Sequence, residues 1–224
     1  MEKIFIKQGY FGIFLFVSFN FFAIYFYPGG TIIDSTTEGY LFFYNFFSNL
    51  GEWVAKNGQD NSFSAYLFNS SLIVLAVSYG LFYIMFLKIQ FRISEKYFIK
   101  MALIITISLS LLSFILVAVF PSEGPTFNLH IFFVKAAFRL LLIHCLIQVY
   151  NLFQNSVFGS SIKIISVIFS AALFLFILVM EFGPNPFEDN RSLLIQVTAQ
   201  KLVVFSIILY FYFQVREALK VRNY

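Results

Sequence analysis

The sequence predicts an all-α polytopic membrane protein, with six transmembrane helices in a single integral membrane domain over residues 1–224. Three observations lead to this fold class: an apolar composition, six long apolar segments, and proline-containing breaks between them. Of the 224 residues, 60% are apolar and 12% are charged, whereas soluble domains have about 45–50% and about 25%. The composition excludes a disordered chain. The single cysteine, Cys145, excludes a scaffold held together by disulfides.

Six segments have the length and composition of membrane-spanning helices. A helix needs about 20 mostly apolar residues to cross the hydrocarbon core of a bilayer. The strands of a membrane barrel would instead show alternating segments of about 10 residues. Proline separates several of the apolar segments, because it removes a backbone donor and disfavours helix in the residue before it. The predicted spans are residues 9–27, 65–87, 98–120, 130–150, 162–180 and 193–212.

The distribution of Lys and Arg predicts that both termini face the cytoplasm, since cytoplasmic loops carry an excess of these residues. With the N-terminus inside, the outer loops contain only Lys56 and Arg191. The cytoplasmic segments then contain ten basic residues: Lys3, Lys7, Lys88, Arg92, Lys96, Lys100, Lys163, Arg216, Lys220 and Arg222. We therefore expect a multi-pass protein of the cell membrane. The basic residues are spread over four separate segments, so the net charge of +4 does not indicate a nucleic-acid partner.

The longest connection, residues 28–62, is the first predicted outer loop. Residues 40–53 are rich in Tyr, Phe and Trp, which indicates a short helix at the membrane interface. Within it, Asn45, Ser48, Asn49 and Glu52 recur at spacings of three and four, so they share one helical face. Two interpretations stay open. The polar face either meets lipid headgroups or closes a site over the helix bundle.

Three cationic side chains lie well inside the predicted spans: Lys135 and Arg139 in the fourth, and Lys201 in the sixth. Ionisable residues within spans are costly and are candidates for function. Lys135 and Arg139 are one helical turn apart, and two like charges on one face destabilise a helix unless an anion lies beside them. Glu181, or the phosphate or carboxylate of a ligand, could be that anion. Snorkelling of Lys135 to the membrane surface is the simpler alternative.

The polar residues of the predicted outer half suggest one outward-facing pocket between the fourth, fifth and sixth spans, roofed by the first loop. We expect no metal site, because only His130 lies on the outer side and zinc needs about three protein ligands. We also expect no cofactor. The candidate ligand-binding residues are Asn45, Ser48, Asn49, Glu52, His130, Lys135, Arg139, Glu181, Gln200 and Lys201.

Four functions are compatible with these residues. The first is binding of a membrane lipid or another anionic headgroup in the outward-facing pocket. The second is hydrolysis or remodelling of a lipid within the membrane, for which Ser48, His130, Glu52 and Glu181 would have to converge. The third is a small transporter, although the inner half of the spans offers only His144 and Gln148 for a polar path. The fourth is an accessory subunit of a membrane complex, with protein partners that the sequence does not identify.

Several short motifs resemble one family of six-span membrane proteins, the domain of unknown function 998 (DUF998). After the first span comes Tyr-Pro-Gly-Gly-Thr at 27–31, and the first loop contains Asn-Phe-Phe-Ser-Asn-Leu-Gly at 45–51. Phe-Pro at 120–121 closes the third span, His130 opens the fourth, and Gln-Lys-Leu at 200–202 lies in the sixth. The motifs cover nearly the whole chain, and their order and spacing carry the resemblance.

The resemblance implies a six-span layout but no particular activity. The family usually has Asp at the fifth position of the loop motif, where this sequence has Asn49, and this departure weakens a metal-binding or acid–base role there. The layout is also similar to that of the damage-regulated autophagy modulators and of the lipid-remodelling factors of GPI-anchor maturation. By analogy with those proteins, the resemblance implies a role linked to lipids.

Overall fold

The computed structural model describes residues 2–92 and 96–221, and this part of the chain folds into six long α-helices without a β-strand. All six are long and apolar enough to cross a membrane, so the predicted class of an all-α, six-span membrane protein is confirmed. Arg222, one of the basic residues assigned to the cytoplasm, lies outside the described residues. The helices are α1 (Glu2–Phe26), α2 (Ser62–Gln90), α3 (Tyr97–Val119), α4 (Phe127–Phe153), α5 (Ser160–Phe182) and α6 (Asn190–Val221).

The helices form a closed ring in which each packs against its neighbours in sequence and α6 packs against α1. The connections 27–61, 120–126 and 183–189 lie at one end, which we call the first-loop end. The start of α1, the end of α6 and the connection 154–159 lie at the other end, which we call the terminal end. Small residues allow close helix packing in membranes. At Gly12 of α1, for example, a Cβ atom would lie only 1.9 Å from the Ser78 hydroxyl oxygen of α2.

Two helices extend well beyond the predicted spans at the terminal end. Helix α1 begins at Glu2, before the predicted start at residue 9, and α6 continues to Val221, beyond the predicted end at 212. These extra turns contain charged residues, which an apolar window excludes. The extension of α6 is nonetheless packed: Val215 and Ala218 are fully buried, and the Glu217 carboxylate accepts a hydrogen bond from the Gly159 N–H at 2.9 Å.

Large apolar side chains lie on both faces of the helices. One continuous core of buried residues runs through the bundle, with Phe82, Phe86 and Phe211 at its centre. Other aromatic residues point outward, such as Phe98 and Phe182, which are 87% and 83% exposed. An apolar outer surface of this kind suits contact with lipid tails, because a soluble monomer rarely exposes large apolar patches.

The first loop folds back onto the bundle. It contains one short 3-10 helix, Phe47–Gly51, within the stretch for which the sequence predicted a short helix. Leu50 and Ala55 of the loop pack with Ala23, Tyr27 and Phe68 in a second, smaller apolar cluster. The loop is therefore anchored to α1 and α2 by buried apolar contacts as well as by the polar contacts described below.

Gly30 lies where the first loop leaves no room for a side chain. Its φ is +82°, and an added Cβ would lie 2.3 Å from the Asn57 backbone nitrogen. Gly58 has almost the same φ, +83°, but open space around it. We expect Gly58→Ala to lower the unfolding free energy by ~1–2 kcal/mol, because only the left-handed backbone conformation disfavours Ala there. Gly30→Ala should cost ~1–3 kcal/mol more, because backbone atoms must move. Equal losses of unfolding free energy in detergent would contradict this.

Candidate functional site

Asn45, which is fully buried, connects two parts of the first loop through its side chain. Its side-chain amide donates to the Gly30 carbonyl at 2.7 Å, and its side-chain carbonyl accepts the Leu41 N–H at 2.9 Å. Two distant parts of the loop are thereby joined through one side chain. Asn45 is a structural residue of the loop and does not line the cavity described below.

Asn49 organises the short helix and links it to Glu52. Its side-chain oxygen accepts the Phe46 N–H at 2.8 Å. Phe46 is the N-cap residue of the short helix and Asn49 is its third residue, so this contact is one half of a capping box. Its side-chain nitrogen donates to the Glu52 carboxylate at 2.9 Å. The 3-10 helix ends before Glu52, so the four polar residues do not share one regular helical face. Asn45, Asn49 and Glu52 are nonetheless all buried, so they do not form an exposed polar face of the loop.

The Glu52 carboxylate is the buried acidic group of the loop, with the residue 1% exposed. The Ser122 hydroxyl donates to it at 2.6 Å, and the Lys56 ammonium lies 2.8 Å from its second oxygen. Burial raises the pKa of this carboxyl above 4.5, while Lys56, Ser122 and Asn49 act in the opposite direction. Because Ser122 belongs to the connection between α3 and α4, Glu52 joins the first loop to that connection.

Two adjacent residues of α6 hold the underside of the loop. The Gln200 side-chain oxygen accepts the Phe47 N–H at 2.8 Å. The Lys201 amino group donates to the backbone carbonyl of Asn45 at 2.9 Å and to the Tyr40 hydroxyl. The same amino group lies 3.6 Å from the centroid of the Phe47 ring. Lys201 is thus enclosed by the loop.

Glu181 of α5 is the anion beside the like-charged pair of α4. One carboxylate oxygen lies 3.1 Å from the Lys135 ammonium, and the other lies 2.6 Å from the Arg139 guanidinium. The side chains of Lys135 and Arg139 are 35% and 54% exposed, and that of Glu181 is 17% exposed. The unfavourable spacing of two cations is therefore offset by an ion pair across two helices.

A cavity of about 340 Å³ opens beside the short helix at the first-loop end. Its walls come from the first loop, from Ser122, from the first turns of α4 and α6, and from the last turns of α5. Partly exposed apolar residues, Ile131 and Phe187, border it. Its polar lining consists of Ser48, Asn49, Glu52, Lys56, Ser122, His130, Lys135, Gln196 and Gln200.

The structure brings six of the ten candidate residues to this cavity, and the other four lie outside it. Of the three cations predicted to share one pocket, Lys135 lines this cavity, whereas Arg139 and Lys201 do not. Lys201 is rotated by about 100° from Gln200 around α6 and points under the loop. Arg139 is one turn deeper than Lys135 and does not line the cavity. Asn45 and Glu181 act as partners of other residues, as described above.

His130 presents a defined face to the cavity. Its Nδ1 lies 2.7 Å from the Phe120 carbonyl oxygen, which can only accept, so Nδ1 carries the proton. In the neutral ring, Nε2 is then the unprotonated nitrogen and can accept a hydrogen bond. Among the described residues, no group of three His, Cys, Asp or Glu side chains could hold a metal ion.

Three polar residues that line the cavity are not among the ten residues predicted from the sequence. Lys56 could have been recognised, because it follows Glu52 by four residues. Ser122 carries no local signal, since its partner lies 70 residues away along the chain. Gln196 of α6 donates to the Val179 carbonyl of α5 at 2.9 Å. It also lines the cavity.

Comparisons of the chain with protein-family models, with curated proteins and with solved structures find no match. The function is therefore argued from the geometry of the cavity.

Burial of Glu52 predicts a specific dependence of stability on pH. Because folding raises its pKa above 4.5, the folded state binds more protons than the unfolded state above that pH. The unfolding free energy should therefore fall as the pH rises from about 4.5 through the folded pKa. The fall is about 1.4 kcal/mol for each unit by which folding raises the pKa.

The variant Glu52→Gln removes this titration and keeps the acceptor for Ser122. Melting temperatures of both proteins, measured from pH 4 to pH 8, should show the wild type losing stability relative to the variant as the pH rises. Groups with lowered pKa values, such as Asp34, are present in both proteins and cancel. A difference that does not change with pH would contradict the assignment.

Proposed function

We propose that this six-span membrane protein binds the phosphate- or carboxylate-bearing headgroup of an amphiphilic molecule, such as a membrane lipid, in the cavity at the first-loop end. Lys135 carries this proposal. Lys135 lines the cavity, whereas its partner Glu181 does not. An ammonium has three donors, so the ion pair leaves donors for a ligand.

Other lining groups suit the same ligand. Gln200 uses its side-chain oxygen for the Phe47 N–H, so its amide nitrogen is the group left to donate. Ser48 adds a hydroxyl group that can donate a hydrogen bond. A volume of about 340 Å³ is at the lower end of the usual range for ligand sites, about 300–1,000 Å³. This size suits a headgroup better than a whole lipid.

A lipid hydrolase is the second candidate, because Ser48 and His130 line the same cavity. A serine nucleophile needs a base that a third group orients. Among the described residues that line the cavity, Glu52 is the single carboxylate, and it contacts Ser122, Asn49 and Lys56. His130 is oriented by a backbone carbonyl instead. Binding is therefore the better supported function.

We also propose that the first-loop end faces outward and that the chain belongs to the DUF998 family. Orientation is supported by the excess of basic residues at the terminal end. The family assignment is supported by the motifs given above. Transport and an accessory role in a complex remain alternatives to headgroup binding.

A matched pair of substitutions tests headgroup binding. Lys135→Met and Arg139→Met each remove one cation from Glu181 and keep an apolar stem, but only Lys135 lines the cavity. We expect Lys135→Met to weaken binding of short-chain phosphatidylglycerol by ~10–100-fold, the value of a charge-assisted hydrogen bond. Arg139→Met should change it little.

Native mass spectrometry of the detergent-purified proteins measures this binding, with a diacylglycerol of the same chains as the probe that lacks phosphate. Equal binding of both probes, or equal losses in both variants, would contradict the proposal.

A second matched pair tests orientation. Ser35 and Ser156 are exposed residues at opposite ends of the bundle, and the natural Cys145 is buried. In intact cells, we expect Ser35→Cys to react with a membrane-impermeant maleimide and Ser156→Cys to react only after the cells are opened. The reverse pattern would overturn the orientation.

A further inference from the structure

A second cavity lies deeper in the bundle, between its two ends. It has a volume of about 90 Å³ and a lining that is almost entirely hydrocarbon, including Ala76, Ile107, Leu141 and Val204. Apolar cavities lined by such side chains stay free of water and accept apolar ligands. We call this the central cavity.

Two tyrosines line the central cavity, but their hydroxyl groups are engaged elsewhere. The Tyr79 hydroxyl donates to the Gln214 side-chain oxygen at 2.9 Å, and the Tyr210 hydroxyl lies 3.0 Å from the Ser166 hydroxyl. Both residues therefore offer ring carbons to the cavity. A bound ion would find almost no polar group there.

The two cavities follow one another along the same helices. We call the cavity at the first-loop end the polar cavity. On α6, Gln200 lines the polar cavity and Val204, one turn deeper, lines the central cavity. On α4, Val134 and Phe138 stand in the same relation. A ligand that enters the polar cavity and extends along these faces would therefore reach the central cavity.

A pair of packed aromatic rings joins the linings of the two cavities. Phe176 lines the polar cavity, Phe138 lines the central cavity, and the two rings pack edge to face, with an interplanar angle of 63° and centroids 4.7 Å apart. Both residues are buried. Neither side chain can form a hydrogen bond, so no hydrogen bond has to break for the two rings to move apart.

We propose that a single amphiphile occupies both cavities, with its phosphate or carboxylate headgroup in the polar cavity and part of one alkyl or acyl chain in the central cavity. This proposal rests on the proposed headgroup binding and specifies its ligand further. The change from a polar to an apolar lining along α4 and α6 matches the change from headgroup to chain in such a molecule. Free inorganic phosphate would use the polar cavity alone.

A series of n-alkyl phosphates, from methyl to dodecyl, tests the proposal on the protein in amphipol. Affinity should rise by ~fourfold for each methylene that enters the central cavity and then level off. Val204→Phe fills the central cavity and should flatten this rise without changing the affinity for methyl phosphate. Val167→Phe, which makes the same change at an exposed position of α5, should behave as the wild type. Partition of the probes into the amphipol is common to all proteins and cancels.

The outcomes are distinct. If neither methyl phosphate nor longer members bind, headgroup binding fails and this inference fails with it. If methyl phosphate binds but affinity does not rise with chain length, only the inference is overturned. An equal rise in the wild type and in Val204→Phe would also overturn it. Ile207→Phe, which fills the cavity from the next turn of α6, replaces Val204→Phe if that variant no longer binds methyl phosphate.

Discussion

The attachment of the first loop to α6 is the interaction on which the cavity depends. Backbone groups removed from water must find partners, and each group left without one costs several kcal/mol in a bilayer. Gln200 and Lys201 supply partners for the Phe47 N–H and the Asn45 carbonyl. Because these contacts fix the loop over the outer turns of α4, α5 and α6, the polar side of the loop becomes one wall of a cavity.

The loop network explains why an amide at position 49 suits this chain. Asn49 accepts a backbone N–H with its oxygen and donates to Glu52 with its nitrogen. An ionised Asp could only accept, and it would place a second negative charge beside a buried carboxylate. An amide at position 49 is therefore consistent with its surroundings. Asn49 here orders the loop.

The sequence predicted the spans well because hydropathy over 20 residues is a local property. It also predicted an anion beside Lys135 and Arg139, since the helical spacing of two cations is local too. The position of Lys201 beneath the first loop could not be predicted, because the direction in which a side chain leaves α6 depends on where the loop packs. The link between Ser122 and Glu52 was missed for a similar reason: it joins residues 70 positions apart, and neither flanking sequence indicates the other.

The residues that carried the family resemblance are largely bonded to one another. Asn45 contacts Gly30, Lys201 contacts Asn45, Gln200 contacts Phe47, and His130 contacts Phe120. Such a set argues for a fixed loop geometry and does not by itself define a chemical reaction.

The charges around the cavity favour recognition of a headgroup over passage of an ion. Glu52 is paired with Lys56, and Glu181 with Lys135 and Arg139. These paired charges leave hydrogen-bond donors for a ligand, but they give the cavity no strong field of one sign.

Beyond Phe138 and Phe176 the lining is apolar, and an ion there would lose its hydration without replacement. Polar groups reappear toward the terminal end, where Gln90, Gln148 and Gln214 are buried. The apolar centre separates the two polar regions, and a hydrocarbon chain, unlike an ion, loses no solvation by occupying it.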